Sequence, residues 1–88
     1  MKNYYQYPKI SEVKPKENYQ LLVTFDNGII KNYDFKKLLL QPVFSPLLNI
    51  FLFRSVKVDS GGYGIYWNDE LDLAESELWI NGDEVKNI

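Results

Sequence analysis

The chain has 88 residues, of which 45% are hydrophobic, 25% charged and 16% aromatic, with a formal net charge of −2. This length and composition exclude a disordered chain and predict a single domain over residues 1–88. Residues 1–8 of this range are predicted to form a tyrosine-rich N-terminal tail. The sequence contains no cysteine and no histidine, which excludes disulfides, thiolate nucleophiles, imidazole bases and the usual zinc ligands. We therefore expect a protein that is not an enzyme and that uses no cofactor.

The amino-terminal and apolar segments indicate the cellular compartment. The first ten residues contain no hydrophobic run of the kind found in a secretory leader. The longest apolar stretch, from Leu38 to Phe53, is interrupted by two prolines and is too short to span a bilayer. We expect a cytoplasmic protein that does not contact membranes.

Charge is distributed unevenly along the chain. Residues 1–44 carry a net charge of +3 (seven Lys/Arg, four Asp/Glu), and residues 45–88 carry −5 (three Lys/Arg, eight Asp/Glu). No Lys or Arg occurs between Val58 and Val85. This distribution predicts an acidic face, which would repel nucleic acid and favour a basic protein partner.

The first part of the chain predicts two strands and a tight turn. Ile10–Val13 reads as a short strand ended by Pro15, and Tyr19–Phe25 reads as a strand with alternating apolar residues. The sequence Asp26-Asn27-Gly28 is the strongest turn signal in the chain. It predicts a hairpin into the residues that follow.

Two registers are compatible with this turn. A two-residue Asn27-Gly28 loop would place Tyr33 opposite Leu22. A three-residue loop with Gly28 in the left-handed region would instead place Phe25 opposite Ile29 and Tyr33 opposite Leu21. We favour the three-residue loop because it keeps the apolar residues of both strands on one face.

Two short helices are predicted next. Asp34 is a suitable N-cap for a helix that turns Phe35, Leu38 and Leu39 inward and that ends at Pro42. Ser45-Pro46 repeats the start signal, with a hydroxyl cap before a proline, for a second helix through about Phe51.

The second half predicts another hairpin. Arg54–Asp59 reads as a strand, Ser60-Gly61-Gly62 as the turn, and Tyr63–Trp67 as the returning strand. Whether the loop is Ser60-Gly61 or Gly61-Gly62, Tyr63, Ile65 and Trp67 share one face. If that face is the core face, Tyr66 points the opposite way.

A last helical turn completes the predicted fold. Asp72 to Glu75 has capping-box spacing, which would open a helix with Ala74 and Leu78 on one face, closed by Gly82. Together the elements predict an α+β fold. Its antiparallel or mixed sheet would have about five strands, from two hairpins and an N-terminal strand, with two or three short helices on one side.

The order of several patterns resembles a known family. The patterns are Tyr19-x-Leu21-x-Val23-x-Phe25-x-Asn27-Gly28, Tyr33-Asp34-Phe35, and Gly64-Ile65-x-Trp67-Asn68-x-x-Leu71-Asp72-Leu73. In these the chain is similar to the small bacterial family known as domain of unknown function 2442. The resemblance implies a compact α+β domain without an established activity. It also implies a gene that lies beside another small reading frame, in an arrangement like a toxin–antitoxin pair. The chain departs from the family pattern at Asp69-Glu70, where a Gly-Ala pair is more common.

Two charged groups suggest alternative functions. The carboxylates of the 69–77 segment could bind a hard cation, but their spacing does not match an EF-hand, and a solvated face is the better interpretation. They are Asp69, Glu70, Asp72, Glu75 and Glu77. Lysines of the first half, near Tyr19 and Tyr33, are the kind of combination that nucleic-acid binders use. They are Lys14, Lys16, Lys31, Lys36 and Lys37.

The candidate partner-binding residues lie in the second half. Tyrosine and tryptophan are enriched in protein interfaces because they bury a large area at low entropic cost. The alternative is that these rings only cover a small core. The predicted partner surface consists of Tyr63, Tyr66, Trp67, Trp79, Asp69 and Glu70. We predict a non-catalytic protein-interaction module, with a nucleic-acid-linked regulator and a small metal-dependent enzyme as the alternatives.

Overall fold

The computed structural model describes residues 6–86. Within this range the strands are β1 (Ile10–Lys16), β2 (Gln20–Phe25), β3 (Ile30–Asp34), β4 (Lys57–Val58), β5 (Gly64–Asn68), β6 (Leu71–Ala74) and β7 (Asp83–Glu84). The α-helices are α1 (Ile50–Phe53) and α2 (Glu75–Asn81), and 3-10 helices occupy Glu17–Tyr19, Lys36–Leu40 and Pro42–Leu48. The predicted α+β class is confirmed. Met1–Tyr5 of the predicted tail lie outside the described residues, and the single-domain assignment stays a prediction.

All described strand pairs are antiparallel, and they form two sheets rather than the one predicted. Within residues 6–86, one sheet has four strands in the order β1-β2-β3-β7 and the other has three in the order β4-β5-β6. Strands β6 and β7 were not predicted. Both are short strands that follow the second hairpin.

The β2–β3 hairpin has the register that we favoured. Leu21 pairs with Tyr33, and the Phe25 N–H donates to the Ile29 carbonyl at 2.9 Å. The three-residue loop between them is closed by Gly28, whose φ of 89° lies in the left-handed region. Leu21, Val23 and Phe25 are all buried.

The prediction that Pro15 ends the first strand is wrong. β1 continues through Pro15, which pairs with Leu21, and ends at Lys16. Because β1 lies at the edge of its sheet, a proline can be accommodated there without breaking a central ladder.

The helical segment differs from prediction in its boundaries. Asp34 does accept a hydrogen bond from the Lys36 N–H at 3.0 Å, but the turn that follows is a 3-10 helix. Ser45-Pro46 starts no helix, because both residues lie inside the 3-10 helix that begins at Pro42. The cap of α1 is Asn49 instead, whose Oδ1 accepts from the N–H groups of Phe51 and Leu52 at 3.0 and 3.4 Å.

The predicted capping box of the last helix is also wrong. Asp72 lies in β6, paired with Tyr66 of β5, and α2 begins three residues later at Glu75. Ala74 precedes the helix and is exposed. The local spacing is outweighed because the backbone of Leu71–Ala74 satisfies its hydrogen bonds across the sheet.

The core is a continuous cluster that joins the two sheets to the helical segment. Phe35 lies at its centre, with ring centroids 5.3 to 5.6 Å from Phe44, Phe53 and Trp67. The buried members are Ile10, Leu21, Val23, Phe25, Tyr33, Phe35, Leu47, Phe53, Val56, Ile65, Trp67, Leu71 and Leu78. Among residues 6–86, helices are too short or too polar to cross a membrane.

Candidate functional site

The six residues of the predicted partner surface do not form one surface. Trp67 is a core residue, with only 7% of its surface exposed. Its indole Nε1–H donates to the carbonyl of Phe53 at 2.9 Å, so its polar atom is satisfied inside the protein. Trp67 is thus part of the core rather than of an exposed surface.

Trp79 packs against the first sheet. Its ring packs edge-to-face on Phe25, with centroids 5.0 Å apart, and is half-buried. The Lys31 ammonium lies 3.9 Å from the Trp79 ring centroid and also donates to the Trp79 backbone carbonyl. Trp79 thus anchors α2 on the first sheet.

Three of the remaining residues lie together beside β5 and β6 of the three-stranded sheet, and they are Tyr63, Tyr66 and Asp69. Tyr66 points away from the core, as the strand alternation predicts, and it is paired with Lys57 on one side and Asp72 on the other. Two residues before Tyr66, Gly64 is paired with Ala74. Both residues line an opening beside Tyr66.

This opening is a shallow depression of about 410 Å³. The residues that line it include two tyrosines and three aspartates, which we call the acidic tyrosine face: Asp59, Tyr63, Tyr66, Asp69 and Asp72. Glu70 is exposed in the same β5–β6 turn but does not line the depression. Tyr63, Tyr66 and Asp69 are thus the predicted site residues that the fold brings together.

The loop between β4 and β5 fixes the position of Tyr63. The Asp59 Oδ1 accepts from the backbone N–H groups of Gly61 and Tyr63, at 3.2 and 2.9 Å. The Tyr63 side chain is exposed, contrary to the predicted face with Ile65, because β5 begins one residue later at Gly64. The Lys9 ammonium lies 4.5 Å from the Tyr63 ring centroid, so this ring already binds one cation.

Asp59 and Asp72 belong to the site but were not predicted as site residues. The signal for Asp59 was present, since an aspartate before Ser-Gly-Gly commonly accepts from the N–H groups of the turn. Asp72 had no such signal. Its place opposite Tyr66 depends on the β5–β6 pairing, which the sequence did not indicate.

A second polar cluster lies where α2 meets β3. The Tyr33 hydroxyl donates to the Glu77 Oε2 at 2.8 Å, and the Asn81 Nδ2 donates to the same oxygen at 3.0 Å. Burial, and then the hydrogen bond to Glu77, raise the pKa of the Tyr33 phenol well above its ordinary range. Because its donor and acceptor groups satisfy one another, we interpret this cluster as a link between helix and sheet.

The two tyrosines near the first-half lysines are engaged within the fold, and the nucleic-acid alternative stays a prediction. Tyr33 is buried, and Tyr19 is half-buried with its hydroxyl donating to the Leu48 carbonyl at 2.7 Å. Lys36 lies 3.4 Å from the carboxylate of Asp34, and the backbone N–H of Lys36 holds the pKa of that carboxylate below its ordinary value.

The acidic segment is dispersed as well. Glu77 accepts hydrogen bonds from Tyr33 and Asn81. Asp72 instead lies in β6, where it is paired with Tyr66 of β5. Within the part of the chain that the structure describes, no group of three acidic side chains is placed to hold a metal ion.

The fold and the site together define a small antiparallel α+β protein with an acidic, tyrosine-bearing sheet face. Over residues 10–83 the sequence matches the family model described as protein of unknown function (DUF2442). The chain belongs to this family, as its sequence patterns indicated. Searches of curated proteins and of solved structures gave no significant match.

Proposed function

We propose that this chain is a non-catalytic protein-interaction module that binds a basic segment of a second protein on the acidic tyrosine face. The observation that carries the proposal is that three aspartates and two tyrosines line one depression: Asp59, Asp69, Asp72, Tyr63 and Tyr66. Asp59 is distant in sequence from Asp69 and Asp72. The three aspartates are therefore brought to one depression by the three-stranded sheet.

The chemistry of this face suits lysine and arginine side chains. Carboxylates pair with ammonium or guanidinium groups, and the face of a tyrosine ring attracts the same cations. The Lys9 ammonium beside the Tyr63 ring is an example of this contact within the chain itself. Tyrosine also supplies contact area at low entropic cost, which makes it a common anchor in interfaces.

The partner that we propose is a small basic protein encoded beside this one and present with it in the cytoplasm. Membership of the DUF2442 family supports this choice, since the resemblance implies paired genes of toxin–antitoxin type. The run from Val58 to Val85 contains no Lys or Arg, which favours a basic partner and opposes a nucleic-acid backbone.

The proposal is tested by copurification from the native host, followed by titration calorimetry with the partner identified. We expect the double variant Asp69→Asn/Asp72→Asn to weaken binding at least about tenfold, equivalent to about 1.4 kcal/mol. The matched control is Asp83→Asn/Glu84→Gln, which removes the same charge from exposed residues of β7.

The comparison of these two variants decides the proposal. If both weaken binding equally, only the net charge matters and the acidic tyrosine face is not the site. Tyr66→Ser separates ring contact from charge, because it leaves every carboxylate in place. Binding that is unchanged in both Tyr66→Ser and Asp69→Asn/Asp72→Asn would refute the proposed surface.

A further inference from the structure

One edge of the three-stranded sheet is formed by β6. In the strand order β4-β5-β6, β6 has β5 on one side, and no strand among residues 6–86 pairs with its other side. Asp72 and Ala74 of this strand are exposed. An edge strand presents backbone N–H and C=O groups with which another extended chain can pair.

The alternation of hydrogen bonds shows which backbone groups of β6 point outward. The Glu75 N–H donates to the Tyr63 carbonyl at 2.9 Å, and alternate residues of an antiparallel strand bond to the same neighbour. Leu73 is therefore the residue of β6 that bonds to β5. The N–H and C=O of Asp72 and the N–H of Ala74 consequently point to the outer edge. Within the described range 6–86, nothing accepts from these two N–H groups on that side.

This free edge borders the acidic tyrosine face. Asp72 is paired with Tyr66, Ala74 is paired with Gly64, and all four residues line the depression. A strand added to β6 would extend the sheet, so every second side chain of that strand would lie on the same face as the Asp72 side chain. Side chains directly opposite each other on neighbouring strands have Cβ atoms about 5 Å apart. A lysine or arginine opposite Asp72 would therefore reach its carboxylate.

Charge identifies the occupant of this edge. Glu70 and Glu75 flank β6, and the run from Val58 to Val85 contains no Lys or Arg. Two copies of the chain pairing along β6 would bring acidic side chains of both strands together, and like charges on paired strands are destabilising. The edge is therefore unsuited to a second copy of itself and suited to an extended segment with basic side chains at alternate positions.

The outer edge of the larger sheet, formed by β1, is protected against such pairing. The Phe25 N–H donates to the Ile29 carbonyl, so the odd-numbered residues of β2 bond to β3 and the even-numbered ones bond to β1. Pro15 is paired with an odd-numbered residue of β2, so its backbone nitrogen points outward, and proline has no N–H to donate. Lys14 and Lys16 on either side of it would repel a basic segment.

We propose that a basic segment of the partner binds as an additional strand along the outer edge of β6, with lysine or arginine side chains at alternate positions over the acidic tyrosine face. The backbone of Asp72 and Ala74 supplies hydrogen bonds to the added strand, and the carboxylates select its side chains. This inference rests on the proposed function and adds the mode in which the partner is bound.

The test is titration calorimetry of the full chain with a capped peptide of alternating lysine and threonine, about eight residues long, which is within the usual length of a strand. Ala74→Pro removes the outward N–H, and the Ala74 φ of −75° lies in the range that proline adopts. We expect this variant to raise the Kd for the peptide at least about fivefold, because a hydrogen bond is lost and the ring obstructs the edge. The matched control Ala74→Ser keeps the N–H and should bind like the wild type.

Amide hydrogen exchange in the wild type gives a second readout that needs no variant. With saturating peptide, the N–H groups of Asp72 and Ala74 should exchange at least about tenfold more slowly than in the free chain, because the added strand accepts from them. The Leu73 N–H, which bonds to β5 with or without the peptide, is the internal reference. If circular dichroism shows that Ala74→Pro does not fold, the exchange measurement decides.

The variants distinguish a failure of this binding mode from a failure of the proposed function. If Asp69→Asn/Asp72→Asn weakens peptide binding while Ala74→Pro does not, or if exchange at Asp72 and Ala74 is unchanged, strand addition is wrong and the acidic tyrosine face remains the site. Peptide binding that is insensitive to both variants would refute the surface as well as the mode. A wild type that does not bind the peptide even at low salt would overturn strand addition.

Discussion

The first hairpin, β2 to β3, turns its aromatic rings inward, whereas the second, β4 to β5, divides its rings between the core and solvent. Phe25 and Tyr33 are buried in the first, while in the second Trp67 is 7% exposed and its neighbour Tyr66 is 36% exposed. Residue type alone does not distinguish the buried rings from the exposed ones. The position of each ring in the strand alternation decides whether it stabilises the fold or can meet a partner.

The surroundings of the two hairpins explain this difference. The β2–β3 pair lies in the middle of a four-stranded sheet, with β1 and β7 outside it. The central strand of the smaller sheet is β5, flanked by two short strands, and its outer face carries the small pair Gly64 and Ala74. The depression beside Tyr63 and Tyr66 lies on this smaller sheet.

The largest expected effect separates the neighbours Trp67 and Tyr66. Trp67→Ala should lower the free energy of unfolding by about 3–5 kcal/mol, because it leaves a large cavity in the core. It also leaves the Phe53 carbonyl without its donor. Tyr66→Ser should cost less than about 1 kcal/mol, since the side chain is outside the core.

Urea unfolding of both variants, followed by circular dichroism, measures these losses. Equal losses would mean that Tyr66 also supports the fold, and the contrast between the two sides of β5 would then fail.

The turn glycines sharpen the comparison further. Gly28 and Gly62 both have positive φ, but an added Cβ at Gly28 meets open space, while one at Gly62 would lie 2.7 Å from the Ile10 carbonyl oxygen. Gly62 also accepts from the Ile10 N–H at 2.8 Å, which joins the second hairpin to β1. Gly28→Ala should cost about 1–2 kcal/mol from backbone strain alone.

Gly62→Ala should cost about 1 kcal/mol more than Gly28→Ala, because it also disturbs the Ile10 hydrogen bond. Thermal or urea unfolding of the two variants in parallel gives the difference directly. A smaller loss for Gly62→Ala would show that the junction between hairpin and β1 can relax freely.

A change at the buried phenol of the first hairpin should have a modest effect. Tyr33→Phe removes the hydrogen bond to Glu77 and should cost about 1–2 kcal/mol at neutral pH. Burial raises the pKa of the Tyr33 phenol, so above the ordinary value of about 10 the unfolded chain releases this proton before the folded chain does. The unfolded state then binds fewer protons, and stability falls as pH rises.

Tyr33 therefore makes its full contribution to the free energy of unfolding below about pH 10. That contribution is lost as the pH rises from about 10 toward the raised pKa of the folded state. Urea unfolding between neutral and alkaline pH should show a shallower alkaline decline for Tyr33→Phe than for the wild type. Parallel declines would contradict this assignment. Glu77→Gln is a useful companion, because it keeps an acceptor near the phenol and removes the charge.

Several features of the candidate site were predictable from neighbouring residues. The opposite orientation of Tyr66 and Trp67 follows from strand alternation, and Asp34 accepts the hydrogen bond expected of a residue that begins a helical turn. The assignments of Ser45-Pro46 and Asp72 were wrong because each signal was local. In the fold, Asn49 has the better cap position, and Asp72 is held by β5 across the sheet.

The α+β class, the register of the first hairpin, the family and the concentration of acidic charge in the second half could all be predicted from the sequence. These depend on short-range turn geometry, on alternation and on composition, which are properties of neighbouring residues. Only the tertiary structure decided that Trp67 and Trp79 support the fold and that Asp59 and Asp72 join Tyr63 and Tyr66 on one face. Those outcomes depend on pairing between strands that are distant in sequence and on how side chains pack in the core. Neither can be predicted from a local pattern of residues.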